Sequence, residues 1–84
     1  MTEAEKKELD KNFTYHAPFG NQPERYNDLR THSKVLAVQI LNQCPPSRER
    51  ALALTNLEQA MFWANASIAR NETPPVDEND TSIT

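Results

Sequence analysis

The segment from Phe13 to Gln22 concentrates ring and amide side chains that could bind a small planar ligand. Four of its residues carry aromatic rings: Phe13, Tyr15, His16 and Phe19. Aromatic rings stack on nucleobases, and each stacked base contributes about 1–3 kcal/mol to binding. The amides of Asn21 and Gln22 can form hydrogen bonds with base edges. The composition of this segment therefore suits a ligand that contains bases.

Basic side chains follow this segment at once, at Arg25, Arg30 and Lys34. Arg30 and Lys34 are four positions apart, which places them on one face of a helix. A guanidinium group binds phosphate through paired, charge-assisted hydrogen bonds. The rings and the bases together indicate a small nucleotide with phosphates. An equally compatible interpretation is that the rings only anchor the loop to the core.

The elements that must position these residues are all helical. Thr2 with Glu5 three positions later has the pattern of a capping box, which predicts a short polar helix over residues 2–11. The irregular residues 12–22 then form the candidate ligand loop. Pro23 is typical of the first residue of a helix, predicted here over residues 23–43.

A third helix completes a hairpin. Cys44-Pro45-Pro46 must end the second helix because proline cannot continue it, and Ser47 caps a helix over residues 47–71. Two long helices joined by a short turn predict an antiparallel hairpin. The predicted fold is all-α, with one domain over residues 1–71 that consists of a short N-terminal helix and this long hairpin.

The last residues, 72–84, are predicted to form a disordered acidic tail. They contain four acids, no bases and two prolines, and only Val76 and Ile83 are large apolar residues. Such a segment buries too little apolar area to offset its ordering entropy. The whole chain carries a net charge of −3, whereas the nine bases and eight acids of residues 1–71 give that part +1.

The third helix has more apolar surface than one hairpin can cover. Phe62 and Trp63 point to neighbouring sectors of the helix, so one of them is poorly placed for the seam with the second helix. We therefore expect a symmetric homo-oligomer.

Several classes of function find no support in the residues. The single cysteine, Cys44, excludes an intrachain disulfide, and His16 and His32 have no partners at metal-ligand spacing. No catalytic constellation or phosphate-binding glycine loop is present, so we expect no enzyme and no cofactor. The charge is too small for general DNA or RNA binding, and no signal peptide or membrane-spanning run is evident. These features predict a cytosolic protein.

Two parts of the sequence resemble the second anti-CBASS family of phages, a family of cyclic oligonucleotide sponges also found in T-even phages. The matching runs are residues 13–18, 20–30, 47–49 and 51–72. They contain the strings Tyr-His-x-Pro and Trp-Ala-Asn-Ala-x-Ile-Ala-Arg, which have no general reason to occur together. The similarity covers residues 12–72.

This resemblance implies a homohexamer in the host cell cytoplasm that sequesters cyclic dinucleotides, such as cyclic GMP-AMP, without cleaving them. It also implies that cyclic trinucleotides bind at a second, separate set of sites. The implied dinucleotide site has Tyr15 as the ring that stacks on a base and Arg30 as the phosphate ligand, with Lys34 as its substitute. Phe13 and His16, from the same ring-rich segment, are predicted as further members of this site. Arg70, with Asn71, matches the trinucleotide site.

Two other functions remain compatible with the residues. One is a sponge for the cyclic ADP-ribose isomers of Thoeris defence, since the same rings and bases would serve. The other is a helical adaptor that inhibits a host protein through the face containing Trp63.

Overall fold

The computed structural model describes residues 1–75, and within that range it contains three α-helices and no strand. Helix α1 spans Glu3–Phe13, α2 spans Gln22–Gln43 and α3 spans Arg48–Asn71. The all-helical fold is therefore confirmed. Phe13, which we placed in the loop, is instead the last residue of α1, so the connection to α2 is shorter than predicted.

The N-terminus of α1 is closed by the predicted capping box. The Thr2 hydroxyl accepts a hydrogen bond from the Glu5 backbone N–H at 3.0 Å, and the Glu5 carboxylate accepts one from the Thr2 N–H at 2.8 Å. The hydrogen bonds from Thr2 lower the pKa of Glu5 from its usual value, because they favour the charged carboxylate. This cap starts a helix that has no buried residue of its own.

The turn between α2 and α3 is held by hydrogen bonds from both sides. The Ser47 hydroxyl caps α3 by accepting a bond from the Arg50 N–H at 3.1 Å. The Arg50 guanidinium reaches back and donates to the carbonyls of Leu41 and Cys44, at 3.2 and 3.3 Å. The carbonyls at a helix C-terminus lack hydrogen-bond donors within the helix. The Arg50 side chain supplies donors to two carbonyls at the end of α2.

The seam of the hairpin consists of half-buried side chains. A 3-4-3-4 spacing in the sequence predicts a seam of Tyr26, Leu29, Ser33, Leu36 and Ile40 on α2 and of Leu54, Leu57, Met61, Ala64 and Ile68 on α3. All five positions of α3 are half-buried. On α2 the observed set is Tyr26, Leu29, Ser33, Ala37 and Ile40. We expected Leu36 in the place of Ala37, but Leu36 is exposed.

The described chain has almost no interior. Its extents are 57 × 34 × 13 Å, and a single helix with its side chains is about 10–12 Å thick, so the helices form one layer. The radius of gyration is 17.9 Å, whereas a compact domain of this length would have about 12 Å. Within residues 1–75 no apolar side chain is buried, and the buried residue there is polar: Gln22.

Candidate functional site

A groove at the open end of the hairpin is lined by some of the predicted ligand residues. It has a volume of about 450 Å³ and is formed by the end of α1, the loop that follows it, and the facing sides of α2 and α3. Its lining residues are Asn12, Thr14, Tyr15, His16, Tyr26, Arg30, Asn65, Ala66, Ala69 and Arg70. We call it the Tyr15 groove. Three of the side chains that we predicted for the dinucleotide site lie in it.

The charge of the Tyr15 groove suits an anion. Arg30 and Arg70 both line it, whereas none of its lining residues is acidic. Neither guanidinium forms an ion pair or a hydrogen bond with another side chain in the described part of the chain. Both are therefore available to bind phosphate through charge-assisted hydrogen bonds.

Tyr15 supplies the ring of the groove that is most open to a ligand. Its side chain is 83% exposed, on the loop between α1 and α2, so either face of the ring can be covered by a base. Tyr26, on the first turns of α2, is half-buried beside it in the same lining. An exposed aromatic ring next to two free guanidinium groups provides both interactions that a nucleotide needs.

His16 is oriented by the end of α1. Its Nε2 lies 2.7 Å from the carbonyl oxygen of Lys11, and this nitrogen must carry the proton in order to donate. In the neutral ring, Nδ1 then remains an acceptor. His16 can therefore accept a hydrogen bond from a base N–H while it fastens the loop to α1.

Two predicted members of the dinucleotide site lie outside the Tyr15 groove. Phe13 is 83% exposed at the end of α1 and does not line it. Lys34 lines a neighbouring groove of about 260 Å³ along the hairpin seam, next to Leu57 and Met61. Arg30 lies at the border and lines both grooves. This position makes Arg30 better placed than Lys34 to bind a ligand in the Tyr15 groove.

The two residues assigned to a second ligand differ in their surroundings. Arg70 lines the Tyr15 groove together with Arg30, although the resemblance implied separate sites. Asn71 has both ends of its side chain engaged, since its Nδ2 donates to the Ser67 carbonyl at 3.0 Å and its Oδ1 accepts from Lys11 Nζ at 3.4 Å. In this arrangement Asn71 ties α1 to the end of α3.

Sequence reasoning missed Asn65 as a member of the groove. Its Oδ1 is buried and has no hydrogen-bond partner within the described residues. Buried polar atoms are nearly always paired, so an unpaired acceptor here leaves a place for a donor. The signal was available, because Asn65 follows Ala64 on the side of α3 that the spacing of Met61 and Ile68 predicts to be buried.

The open end of the hairpin is closed by a polar cluster of Gln22, Arg25 and Glu72, which we call the clasp. The Arg25 guanidinium donates to both carboxylate oxygens of Glu72, one of them at 2.8 Å, and Gln22 Nε2 donates to the same carboxylate at 2.9 Å. The bonds from Arg25, and then that from Gln22, lower the pKa of Glu72 to about 2, so it is charged at neutral pH.

Glu72, the first residue of the predicted disordered tail, takes part in the clasp. Glu72 is half-buried and paired with Arg25, because it directly follows α3 at the level where α2 starts. The low apolar content of the tail could not predict this ion pair, because the pair depends on where Arg25 lies in the fold. Residues 76–84, which make up most of the predicted tail, lie outside the described residues.

The described range contains neither a candidate metal site nor a helix that could span a membrane. No group of His, Cys, Asp and Glu side chains in residues 1–75 is arranged to hold a metal ion. None of the helices there is both long and apolar enough to cross a bilayer.

Comparison with known proteins gives one family match. The family model described as "Acb2/Tad1, hairpin domain" matches residues 5–69, which include most of α1, the loop, α2 and most of α3. No curated protein and no solved structure gives a significant match.

Proposed function

Because the chain belongs to the Acb2/Tad1 hairpin-domain family, we propose that it sequesters cyclic dinucleotides of host CBASS immunity, such as cyclic GMP-AMP, without cleaving them. At the level of the family, the domain fits a phage anti-defence sponge for cyclic nucleotides. The proposed place of action is the host cell cytoplasm. Cyclic trinucleotides are proposed as further ligands, with Arg70 as their phosphate ligand.

The observation that carries this proposal is the composition of the Tyr15 groove. An exposed ring lies beside two arginines that no described carboxylate neutralises, and the lining itself contains no acid. A tyrosine ring and a guanidinium group bind a nucleotide by stacking and by hydrogen bonds to phosphate. Neither group activates a water molecule for attack on the phosphodiester. Since His16 in the same lining has an accepting Nδ1, the proposal that the ligand stays intact rests on the family match.

A second copy of the chain is proposed to complete the site. Across an isologous interface every residue appears twice about a two-fold axis. One Tyr15 and one Arg30 from each copy then provide two rings and two guanidinium groups. A cyclic dinucleotide has two bases and two phosphates with the same pseudo-symmetry, which is why a pocket shared by two copies matches it.

The surface of the chain supports self-association. Phe62 and Trp63 are 56% and 64% exposed, and together with Ala66 they line a groove of about 500 Å³ along α3. On α2, Val35 and Val38 are also exposed. Large apolar surfaces of this kind mark interaction sites in proteins that are otherwise polar. We propose a homohexamer, as the resemblance implies.

A thermal-shift panel followed by mass spectrometry tests the sponge. We expect cyclic dinucleotides to raise the Tm in a concentration-dependent manner, since a ligand that binds only the folded state stabilises it by mass action. The ligand recovered after heat denaturation should have its original mass. Recovery of linear dinucleotide or of mononucleotides would refute sequestration and indicate a phosphodiesterase. A shift by cyclic ADP-ribose isomers alone would instead support a sponge for Thoeris signals.

Self-association is tested by sedimentation of the wild-type chain and two variants that add the same charge. We expect a mass of several times 9.6 kDa for the wild type. Trp63→Glu should lower it, because a charge would be buried in the interface. The control is Asn27→Glu, at an exposed polar position of α2, which should leave the mass unchanged. A wild-type chain that sediments as a monomer would contradict the proposed shared pocket.

The exposed Trp63 also favours a second candidate, an adaptor that inhibits a host protein. Its ring is more exposed than an apolar anchor in a packed helix would be. This function predicts no thermal shift with any cyclic oligonucleotide, together with specific capture of one host protein that Trp63→Glu abolishes.

A further inference from the structure

The most enclosed side chain in the described part of the chain is polar and lies where the ligand loop ends and α2 begins. Gln22 is only 2% exposed. Its Oε1 accepts a hydrogen bond from the Phe19 backbone N–H at 3.2 Å, and its Nε2 donates to Glu72 at 2.9 Å. One side chain therefore links the loop to the end of α3. A buried amide with both ends paired fixes local geometry, since losing either partner leaves a polar group unsatisfied.

Arg25 strengthens the same junction from the first turn of α2. It donates two hydrogen bonds to the Glu72 carboxylate, and its Nε donates to Asn21 Oδ1 at 3.1 Å. Asn21 is the last residue of the loop. A bidentate guanidinium–carboxylate pair specifies direction as well as distance. The clasp therefore contacts the loop twice, at Phe19 and at Asn21.

The loop has few other attachments in the described structure. At its beginning, His16 bonds to the Lys11 carbonyl. At its end, the Gln22 N–H bonds to the Phe19 carbonyl at 3.0 Å, and Gly20 adopts a positive φ of 56° that favours glycine. The Tyr15 ring is 83% exposed and little of it packs against the fold. The position of this ring is therefore determined by the two ends of the loop, and the clasp holds one of them.

We propose that the clasp positions the loop so that Tyr15 is held over the groove before the ligand arrives, which makes Gln22 and Glu72 positioning residues for binding. This inference rests on the proposed function. Restricting a binding loop in advance raises affinity, because less conformational entropy is lost on association. Glu72 lies outside the segment matched by the family model, residues 5–69, so the family match does not assign it a role.

The proposal is tested with Glu72→Gln, a neutral side chain of the same length. Glu24→Gln is the matched control, because it removes the same charge from an exposed position in the first turn of α2. In hydrogen exchange without ligand, we expect the Phe19 amide to exchange about tenfold faster or more in Glu72→Gln than in wild type and control. Calorimetry with cyclic GMP-AMP should show at least about fivefold weaker binding in Glu72→Gln alone.

A double-mutant cycle separates positioning from general stability. If the clasp acts through the loop, Glu72→Gln should change affinity by less than about twofold in a Tyr15→Ala background, because the positioned ring is gone. In an Arg30→Ala background it should keep its full effect, since Arg30 forms no hydrogen bond with the clasp or with the loop in the described structure. Should Glu72→Gln fail to fold, Glu72→Asp replaces it in the same cycle. This variant keeps the charge but shortens the side chain, so a smaller loss of affinity is expected.

The outcomes distinguish this inference from the function on which it rests. The positioning role would be overturned if Glu72→Gln bound cyclic GMP-AMP as tightly as the wild type does. It would also be overturned if Glu72→Gln caused the same loss of affinity in the Tyr15→Ala and Arg30→Ala backgrounds. Either result would leave the proposed sponge function standing. A wild-type chain that binds no cyclic nucleotide would overturn the proposed function itself, whatever the exchange of the Phe19 amide.

Discussion

Replacing Tyr15 by alanine is expected to weaken cyclic dinucleotide binding by more than about tenfold, since a stacked base contributes about 1–3 kcal/mol and 1.4 kcal/mol corresponds to a factor of ten. The ring is 83% exposed, so its removal costs the chain little packing. We therefore expect the mass in sedimentation and the Tm without ligand to be unchanged. Isothermal calorimetry with cyclic GMP-AMP measures the loss of affinity.

Phe13→Ala provides the matched control for this loss. Phe13 has the same exposed fraction, 83%, and lies two positions away, but it does not line the Tyr15 groove. An exposed ring without a ligand contact should change affinity by less than about threefold on removal. Equal losses in the two variants would show that the segment contributes apolar surface rather than a specific stacking ring, and would return Phe13 to the site.

Replacing Arg30 by alanine should weaken cyclic dinucleotide binding by more than about tenfold, because hydrogen bonds to a charged group contribute about 1.5–3 kcal/mol. The guanidinium forms no ion pair within the described residues, so the folded chain does not depend on it. The affinity should also fall as salt rises in the wild type, and more weakly so in the variant. Calorimetry at two salt concentrations measures both effects.

Alanine variants of two other cationic residues on the hairpin, Lys34 and Arg70, test whether the effect is specific to Arg30. Lys34→Ala should have the smaller effect, since Lys34 lines the seam groove and not the Tyr15 groove. If Arg30 and Arg70 serve separate ligands, as the resemblance implies, Arg70→Ala should spare cyclic dinucleotides and weaken cyclic trinucleotides. Loss of both ligands in Arg70→Ala would mean that the shared lining of Arg30 and Arg70 is a single site. A larger loss in Lys34→Ala than in Arg30→Ala would move the phosphate position along α2.

The helices were predictable because their signals are local. The capping box at Thr2, the cap at Ser47 and the prolines after Cys44 act within a few residues, and each is where the sequence places it. The seam of α3 was predictable for a related reason, since a 3.6-residue period leaves few choices in a well-patterned helix. On α2 the apolar residues surround much of the helix, and the spacing could not distinguish Leu36 from Ala37.

The candidate site was harder to predict because it depends on distant residues. Tyr15, Arg30 and Arg70 line one groove although 55 positions separate the first from the last. Their proximity follows from how the hairpin is rotated and where α1 ends, and neither is encoded in local spacing. Glu72 illustrates the same limit, since its partner Arg25 is 47 positions away. The composition of a segment cannot reveal an ion pair with a residue so far away in the sequence.

The single-layer shape of the described chain bears on how much of the protein is needed for sequestration. In the proposed homo-oligomer, a chain 13 Å thick in which no described apolar side chain is buried would gain stability from its neighbours, and assembly of several copies would depend on a high power of their concentration. Early in expression, when few copies are present, most would be incompetent to hold a messenger. We expect sequestering capacity to rise more steeply than the amount of protein, so that protection begins at a threshold.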